Sequence, residues 1–318
     1  MARKILIAGA GQLGSRYLQG LAKCRLPLSI YVQDIYDESL VRAEQRWNEV
    51  LGTETRHVVS FHKSFESLPQ QLDIAIVATN ADVRPRVIGE IASLSAVRYW
   101  VLEKVLAQSE SGLDEIVSNT RNSSGAWVNT PRRMMPWHQQ VKSQLGLKQP
   151  MTLEVQGGLW GLACNAVHFL DLFTWWSGET LQAVYTDRLA PHFFESKRLG
   201  NWEISGTLDA RFSGGGHVLL SAEEGGGPTS LKVSNGQLAW LIKETEGLAE
   251  CTDGMVISGR MVNQSEMTAT LVETILENGS CDLPTLKDSV DLHRVFIISM
   301  LEHWRHAGNP TAVLVPIT

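Results

Sequence analysis

Short apolar runs alternate with amphipathic stretches through the first third of the chain. Strands are predicted from the apolar runs at 5–8, 29–32, 58–61, 73–78 and 98–102. Helices are predicted from the stretches with apolar residues at every third or fourth position, at 15–24, 37–51 and 82–93. This alternation predicts an α/β domain with a doubly wound parallel sheet of the Rossmann type. The ligand crevice of such a sheet lies at the carboxyl ends of its strands.

Beyond about residue 126 the apolar and polar positions alternate one by one, as in strands with one buried face. Strands are predicted at 152–156, 183–189, 207–212, 217–222, 231–233 and 238–242, with glycine-containing turns between several of them. Helices are predicted at 163–176, 264–277 and 285–306. We therefore predict a Rossmann domain at 1–126 and an α+β domain with a largely antiparallel sheet at 127–318.

The first predicted strand runs into the glycine-rich segment GAGQLG, residues 9–14. Gly9 permits a tight turn, Gly11 allows a pyrophosphate to approach the backbone, and Gly14 lets the next helix pack closely. The N-terminus of that helix offers N–H groups and a positive dipole end to phosphates. Asp34 ends the second strand, at about the spacing of a carboxylate that binds the adenosine ribose. This combination predicts a dinucleotide site; the alternative is a glycine-rich turn in another kind of α/β protein.

Charge and cysteine content narrow the class of protein. The chain has 318 residues, a net charge of -6 and a pI near 5.9, which argues against nucleic acid or an anionic membrane as the main partner. No apolar run approaches the roughly 20 residues that span a bilayer. The first strand begins too early for a signal peptide, and the four cysteines form no CxxC pair. These features predict a cytoplasmic protein with reduced thiols.

Two further strand ends place polar residues at the predicted crevice. Thr79 and Asn80 follow one buried strand, and Glu103 and Lys104 follow the next. A partly buried lysine at such a position suits a group that hydrogen-bonds a reacting hydroxyl or carbonyl. The alternative is a surface Glu-Lys pair at the end of a strand.

With these motifs the chain resembles the Gfo/Idh/MocA family, the oxidoreductases related to glucose–fructose oxidoreductase and inositol dehydrogenase. The resemblance rests on GAGQLG at 9–14, the Thr79-Asn80 turn, VLEKVLA at 101–107 and the segment at 157–172. It implies that NAD is bound by Gly9, Gly11, Gln12, Leu13, Gly14, Asp34, Thr79, Asn80, Glu103 and Lys104.

The resemblance also implies that Lys104 is catalytic, as the lysine of the family's Glu-Lys-Pro motif. Val105 replaces the proline in this chain. Because valine does not fix the backbone as proline does, the residue beside Lys104 is less constrained.

A second set of candidates lies on the predicted helix at 163–176. The family carries a histidine on this helix that faces the nicotinamide, and His168 matches it. The family often has an aspartate about one turn earlier, where this chain has Cys164 followed by Asn165. Asn165 can orient a substrate hydroxyl, but it cannot accept a proton. Asp171 is a candidate for orienting the imidazole or pairing with a cation.

Other aromatic and basic residues are candidates for substrate contacts. Arg132 and Arg133 can clamp a carboxylate or phosphate through paired N–H groups, or form a solvated basic turn. Trp160 can stack on a sugar ring, or belong to the core. His303 and His306 have a spacing that suits a metal, but no third ligand accompanies them. No metal is therefore predicted.

These observations predict an oxidoreductase that moves a hydride between a nicotinamide cofactor and a secondary hydroxyl or ketone of a sugar, sugar derivative or cyclitol. The chain end resembles family members that make bacterial surface sugars. Asp34 favours NAD over NADP, because a carboxylate repels a 2′-phosphate and no arginine follows it immediately. The alternatives are a reductase of a non-sugar carbonyl or imine, and an NAD-binding regulatory protein with little turnover. Val105 and Cys164 motivate the regulatory alternative.

The second domain also predicts self-association. Leu208 and Val218 belong to one apolar face of its sheet. Four further residues suggest that the other face is apolar too, namely Leu219, Leu231, Val233 and Leu241. An apolar face larger than those common on monomers favours a subunit contact. We therefore expect a homodimer or homotetramer with closed symmetry.

Overall fold

The computed structural model describes residues 2–50, 56–146 and 150–318. The chain divides into two compact units. The first comprises Met1–Leu106, Ser111–Asn129 and Val262–Leu286; the second comprises Ala107–Glu110, Thr130–Met261 and Lys287–Thr318. The predicted boundary between 1–126 and 127–318 lies close to the observed crossover from Asn129 to Thr130. The prediction did not include the return of 262–286 to the first unit.

Each of the six predicted helices corresponds to an observed one. The α-helices are α1 (Gln12–Leu21), α2 (Asp37–Val50), α3 (Arg84–Leu94), α4 (Glu110–Thr120), α5 (Pro136–Leu145), α6 (Leu162–Ser177), α7 (Gln264–Asn278) and α8 (Leu286–His306). Helices α4 and α5 were not predicted, because each presents only a short apolar stripe among polar residues. The last residue of the helix predicted at 37–51, Leu51, lies outside the described residues.

The first unit is built on a parallel sheet with the strand order β3-β2-β1-β4-β5-β6. Its strands are β1 (Arg3–Ala8), β2 (Leu28–Gln33), β3 (Val58–His62), β4 (Gln71–Val77), β5 (Ala96–Leu102) and β6 (Gly125–Val128). The order reverses between β1 and β4, which is the switch point where doubly wound sheets bind ligands. The predicted Rossmann sheet is confirmed.

Helix α7 packs on α1, and this contact explains why 262–286 belongs to the first unit. Gly20 is a point of close approach, because a Cβ there would lie 2.7 Å from the Ser265 carbonyl oxygen and 2.7 Å from the Thr268 Cβ. Arg25, which follows α1, adds an ion pair with Glu273 of α7 at an N–O distance of 2.7 Å. The sequence pattern predicts α7 but contains no signal for the helix on which it packs.

The second unit is built on a sheet with the strand order β16-β15-β14-β13-β7-β12-β11-β8. The strands of this unit are β7 (Thr152–Gly157), β8 (Leu181–Leu189), β9 (Phe194–Glu195), β10 (Trp202–Glu203), β11 (Gly206–Phe212), β12 (His217–Ala222), β13 (Ser230–Ser234), β14 (Ala239–Lys243), β15 (Leu248–Cys251) and β16 (Val256–Ser258). Strands β7 and β12 are parallel and the other neighbours in the large sheet are antiparallel. Strands β9 and β10 form a separate pair. The predicted, largely antiparallel sheet is confirmed.

The two faces of this sheet differ more than the sequence suggested. Leu231 lies opposite Ile242 and Val233 opposite Trp240, and all four side chains are fully buried. Because residues directly opposite each other share a face, the assignment of Leu231 and Val233 to a second apolar face was wrong. On the other face, Glu154 of β7 lies opposite the exposed Lys232 of β13.

The face that carries Glu154 and Lys232 also carries some apolar side chains. Tyr185 and Leu241 are exposed there, and Leu219 is half-buried. It is therefore a mixed face of the kind that an antiparallel sheet can present to solvent.

The close approach at Gly20 gives a stability prediction. In a helix, glycine to alanine ordinarily stabilises by up to about 1 kcal/mol. At Gly20 we expect Gly20→Ala to destabilise instead, by about 1–3 kcal/mol, because the new methyl group meets the α7 backbone. The free energy of unfolding in urea measures this change.

Gly89→Ala on α3 is the matched control for Gly20→Ala. Its Cβ would meet the end of the Asn119 side chain at 3.0 Å, which can move away. We expect this variant to be neutral or stabilising. Equal effects of the two substitutions would contradict the packing argument.

Candidate functional site

Close backbone contacts shape the glycine-rich turn between β1 and α1. Gly9 has a φ of +89°, a left-handed conformation that favours glycine. A Cβ on Gly14 would lie 1.7 Å from the Gly9 carbonyl oxygen, so the helix can start this close to the strand only with glycine at position 14. A Cβ on Gly11 would meet no described atom within 4 Å. Packing therefore does not require glycine at position 11, which fits its predicted role of leaving room for a pyrophosphate.

Helix α1 starts directly after this turn, with Gly11 as its N-cap. Because Gly11 has no side chain, no side-chain hydrogen bond caps this end of the helix from the N-cap position. Gln12 and Leu13, two of the predicted cofactor contacts, form the first helical turn. The backbone N–H groups of this turn and the positive end of the helix dipole suit an anionic group such as a pyrophosphate.

The Asp34 side chain lies beside the glycine-rich turn. One carboxylate oxygen accepts a hydrogen bond from the Ala10 N–H at 2.7 Å, and the other accepts one from the Tyr36 N–H at 3.0 Å. The residue is 9% exposed. A carboxylate has about four acceptor positions, so two remain for ribose hydroxyls. Asp34 directly follows β2, and its contact with a ribose stays a prediction.

Arg46 of α2 is a residue near this turn that the sequence analysis missed. Its guanidinium donates to the carbonyl and side-chain oxygens of Gln12, at 3.1 and 2.7 Å, and to the Ser15 hydroxyl at 2.5 Å. The half-buried cation therefore lies against the first turn of α1, with its pKa lowered by burial and by Arg16 and Arg42. Its sequence distance from Gln12 gives no signal of this contact.

The predicted strand-end residues lie after β4 and β5. Thr79 and Asn80 follow β4, and Asn80 is exposed. Lys104 follows β5 and is half-buried. The peptide bond between Lys104 and Val105 is cis. Since β4 and β5 are parallel neighbours, these residues share the carboxyl edge of the sheet with the glycine-rich turn.

Glu103 is buried, and its carboxylate is bonded inside the first unit. The Tyr17 hydroxyl donates to it at 2.6 Å and the Asn129 amide at 2.7 Å. Burial raises the pKa of Glu103, against the opposing effect of these two hydrogen bonds. Burial and the adjacent carboxylate likewise raise the pKa of Tyr17, so this hydroxyl remains a donor. The Glu103 side chain therefore ties the end of β5 to α1, and its predicted contact with the cofactor stays a prediction.

Helix α6 of the second unit carries a polar stripe. Over 162–173 the half-buried residues are Cys164, Asn165 and His168, and the others are buried. Their spacing of three and four residues places Asn165 and Cys164 next to His168 on the helix surface. The predicted catalytic histidine thus belongs to the accessible face of an otherwise buried helix.

Glu203 is a second residue that the sequence analysis missed. It belongs to β10, is 7% exposed, and accepts hydrogen bonds from the N–H groups of Ala163 at 2.8 Å and Cys164 at 3.3 Å. These are N–H groups of the first turn of α6, so the carboxylate interacts with the positive end of the helix dipole. No short-range motif links β10 to α6, and only the three-dimensional structure brings this acid to the helix.

Asn165 and Trp160 are held near the same helix end. The Asn165 amide donates to the Trp160 carbonyl oxygen at 3.0 Å, and the Trp160 indole N–H donates to the Ser221 carbonyl oxygen at 2.9 Å. A Cβ on Gly161 would lie 3.0 Å from a carboxylate oxygen of Glu203 and 3.1 Å from the Asn165 amide nitrogen. Two polar side chains therefore converge beside Gly161, where the chain has no side chain of its own.

Arg132 is engaged in a buried ion pair. Its guanidinium makes two hydrogen bonds to Glu244, at 2.7 and 2.8 Å, and lies 4.4 Å from the centre of the Phe169 ring. His138, fully buried, contacts the same carboxylate at 3.0 Å. Burial favours the neutral form of Glu244, but Arg132 and His138 outweigh it and hold the pKa of this carboxyl low. Burial lowers the pKa of His138, against the opposing effect of Glu244.

Arg133 is engaged in a similar way with Asp171. The two hydrogen bonds measure 2.5 and 2.9 Å, and the Thr130 hydroxyl donates to the same carboxylate at 2.8 Å. Burial raises the pKa of Asp171, while Arg133 opposes the rise. Asp171 therefore pairs with a cation, one of its two predicted roles. The predicted substrate clamp at Arg132 and Arg133 stays a prediction, and both guanidinium groups already bind carboxylates within the second unit.

Among the described residues, no group of three or more His, Cys, Asp or Glu side chains is arranged to hold a metal ion. His303 instead contacts the Ala190 carbonyl oxygen at 2.9 Å. Within the described parts of the chain, no helix has the length and apolar character needed to cross a membrane.

Comparison with known proteins finds likeness only in three dimensions. No family model matches the sequence, and no curated protein matches it. Several solved structures do match nearly the whole chain. One is UDP-N-acetylglucosamine 3-dehydrogenase from Acidithiobacillus ferrooxidans, with a TM-score of 0.68, 15% identity, and coverage of 96% of this chain and 97% of that one.

Two further solved structures match over similar lengths. Scyllo-inositol dehydrogenase from Lactobacillus casei, with bound NAD(H) and scyllo-inositol, has a TM-score of 0.68 and 12% identity, covering 95% of this chain and 97% of its own. A Gfo/Idh/MocA family oxidoreductase from Vibrio cholerae has a TM-score of 0.67 and 15% identity, covering 96% of this chain and 99% of its own. The chain therefore has the fold of the Gfo/Idh/MocA oxidoreductases, which confirms at the level of the fold the resemblance found in its motifs.

Proposed function

We propose that the protein is an NAD-dependent oxidoreductase that acts on a secondary hydroxyl or ketone of a sugar, sugar derivative or cyclitol. The observation that carries this proposal is the cradle at the end of β1: the open space beside Gly11, the N-terminus of α1 and the adjacent Asp34 carboxylate. These three features suit the pyrophosphate and the ribose of a dinucleotide. A solved structure of the same fold holds NAD(H) and scyllo-inositol, which supports the cofactor type and the substrate class.

The preference for NAD follows from Asp34. Both of its oxygens accept hydrogen bonds from backbone N–H groups, which fix the orientation of the carboxylate. A negative charge at this position accepts hydrogen bonds from ribose hydroxyls and repels a 2′-phosphate.

Lys104 and His168 have separate roles in the proposed reaction. The Lys104 ammonium donates a hydrogen bond to the reacting oxygen of the substrate, and the His168 imidazole takes the hydroxyl proton in oxidation or returns it in reduction. NAD, when bound, supplies the hydride acceptor at nicotinamide C4. Asn165 and Trp160 are proposed to contact the hydroxyl groups and ring of the substrate.

A regulatory protein that binds NAD without turnover is the second candidate. Cys164 favours it, because this residue stands where the resemblance implies an acid. A reductase of a non-sugar carbonyl or imine is a further alternative within enzymes.

We propose a cytoplasmic location, because the thiols of Cys24, Cys251 and Cys281 form no disulfide, as expected in a reducing compartment.

An absorbance assay at 340 nm tests the proposed function. The panel contains inositols, free hexoses, sugar acids and nucleotide sugars, each with NAD and with NADP, and the reverse reaction with the matching ketones. Turnover of a polyol or sugar with NAD supports the proposal, and a nucleotide sugar as the best substrate favours a role in surface-carbohydrate synthesis. Tight NAD binding without turnover of any compound would instead support the regulatory candidate.

Replacing the proposed catalytic lysine gives the first prediction of this function. We expect Lys104→Ala to lower kcat by about 10²–10⁴, the scale on which removal of a positioned donor or proton-transfer group slows turnover, with the dissociation constant for NAD changed only a few-fold. Steady-state kinetics and NAD titration measure the two effects. Lys23→Ala, at an exposed lysine of the same unit, is the control. Near wild-type activity of Lys104→Ala would refute the catalytic role.

Replacing Asp34 tests the cofactor preference. We expect Asp34→Ser to weaken NAD and to reduce the ratio of NAD to NADP affinity, because the ribose acceptor and the negative charge are both lost. Asp37→Ser is the control, since Asp37 is an exposed acid nearby that pairs with Lys63. A wild-type protein that already prefers NADP would overturn the assignment.

We also propose a homodimer or homotetramer assembled through the mixed face of the second unit's sheet. Tyr185, Leu219 and Leu241 supply apolar contact there, and Glu154 and Lys232 supply charges of both signs that a second copy can match. Light scattering at micromolar concentrations is expected to give a multiple of 35.2 kDa. The 35.2 kDa monomer mass throughout would refute the proposal.

A further inference from the structure

Arg84 is the most deeply buried cation of the first unit that the proposed function leaves unexplained. It is the first residue of α3, is 1% exposed, and is among the largest fully buried side chains of the chain. Long charged side chains are rarely buried to this degree unless their donors are bonded. The burial of Arg84 therefore indicates that its guanidinium is held by specific hydrogen bonds.

The guanidinium of Arg84 donates hydrogen bonds to backbone carbonyl groups of two segments, one that follows β4 and one that follows β5. One terminal nitrogen donates to the carbonyl oxygens of Val105 and Leu106, the latter at 3.2 Å. The other terminal nitrogen donates to the carbonyl oxygen of Thr79. One side chain thus fastens the segment after Lys104 to the turn after β4.

The residue on the other side of Lys104 is also fastened. Glu103 is held by the Tyr17 hydroxyl at 2.6 Å and the Asn129 amide at 2.7 Å. The charge of Arg84 acts on this carboxylate as well, and together with those two hydrogen bonds it opposes the rise in the pKa of Glu103 that burial causes. Lys104 therefore lies between two fixed neighbours, one held through its side chain and the next through its carbonyl group.

Position 105 explains why such a contact is needed. Proline in the family's motif restricts the backbone through its ring, whereas Val105 has no ring and is fully buried. A guanidinium offers five N–H donors in a rigid plane, so it can hold several carbonyl groups in one arrangement. A lysine at position 84 offers a single ammonium group and cannot reproduce this fork.

We propose that Arg84 is a positioning residue that holds the Lys104 ammonium in its working place by fixing the Val105–Leu106 backbone. This inference rests on the proposed function, in which Lys104 is catalytic. Arg84 itself acts through the backbone and has no assigned contact with the substrate or the cofactor.

The test uses the full chain and three variants. Arg84→Met removes the donors, Arg84→Lys keeps the charge with fewer donors, and Arg86→Met is the matched control at an exposed arginine of the same helix. Two of the measurements are kcat with the best substrate of the panel and the dissociation constant for NAD. The third needs no substrate: the rate of acetylation of Lys104 relative to Lys23, followed by mass spectrometry.

We expect Arg84→Met to lower kcat by about 10–100-fold, because a displacement of about 1 Å costs this much in oriented catalysis, while NAD affinity stays within about three-fold. The relative acetylation of Lys104 is expected to change at least about three-fold, because the amine is no longer held in one position. Arg84→Lys is expected to fall between wild type and Arg84→Met, and Arg86→Met to match wild type.

Two results would overturn the positioning role. The first is a folded Arg84→Met variant with wild-type kcat and wild-type acetylation of Lys104. The second is a loss of NAD affinity as large as the loss of kcat, which indicates general damage to the unit. If Arg84→Met does not fold, Arg84→Lys decides on the same criteria. Failure of the proposed function is a separate result, namely full activity of Lys104→Ala or no turnover by wild type. In the second case the acetylation ratio still decides whether Arg84 positions Lys104.

Discussion

Direct packing of backbone against backbone where β1 meets α1 is the constraint on which the first unit depends. Gly14 lies so close to the Gly9 carbonyl that any side chain at position 14 would separate the helix from the strand. This contact fixes the N-terminus of α1 at the carboxyl edge of the sheet. The same edge receives Asp34 from β2 and Thr79 from β4, because all the strands of this sheet are parallel. One steric requirement thus gathers the helix dipole and the carboxylate of the proposed dinucleotide site.

Buried charges fix the geometry of both units, and each is matched in a different way. In the first unit Arg84 donates to carbonyl groups and Glu103 accepts from neutral donors. In the second unit Arg132 and Arg133 pair directly with carboxylates. Such pairs add little net stability, since desolvation offsets their attraction, but removing one partner costs about 3–5 kcal/mol. They therefore specify side-chain positions more than they stabilise the fold.

Local patterns predicted the first unit well, and they could not predict its long-range contacts. The apolar runs and the glycines near Gly11 are local signals, so the parallel sheet, its turn and the position of Lys104 followed from them. The return of α7 to the first unit depends on the match between Gly20 and a helix more than 240 residues away, which no local period records.

In the second unit, too, local sequence patterns could not predict a long-range feature, but for a different reason. Leu231 and Val233 are apolar residues on a strand, and the sequence alone does not say which face they occupy. The β13–β14 register decides it. Glu203 and Arg84 escaped prediction because their partners are backbone N–H and C=O groups, which every sequence contains.

These two missed residues bear on whether the chain is an enzyme or a regulatory protein. The regulatory hypothesis rests on two departures from the family pattern, Val105 and Cys164. Arg84 holds the carbonyl group of Val105, and Glu203 places a carboxylate on the N–H of Cys164. Each departure therefore has a charged side chain within hydrogen-bonding distance of its backbone. Under the proposed function these two contacts hold the backbone at both positions, so neither departure by itself argues against activity.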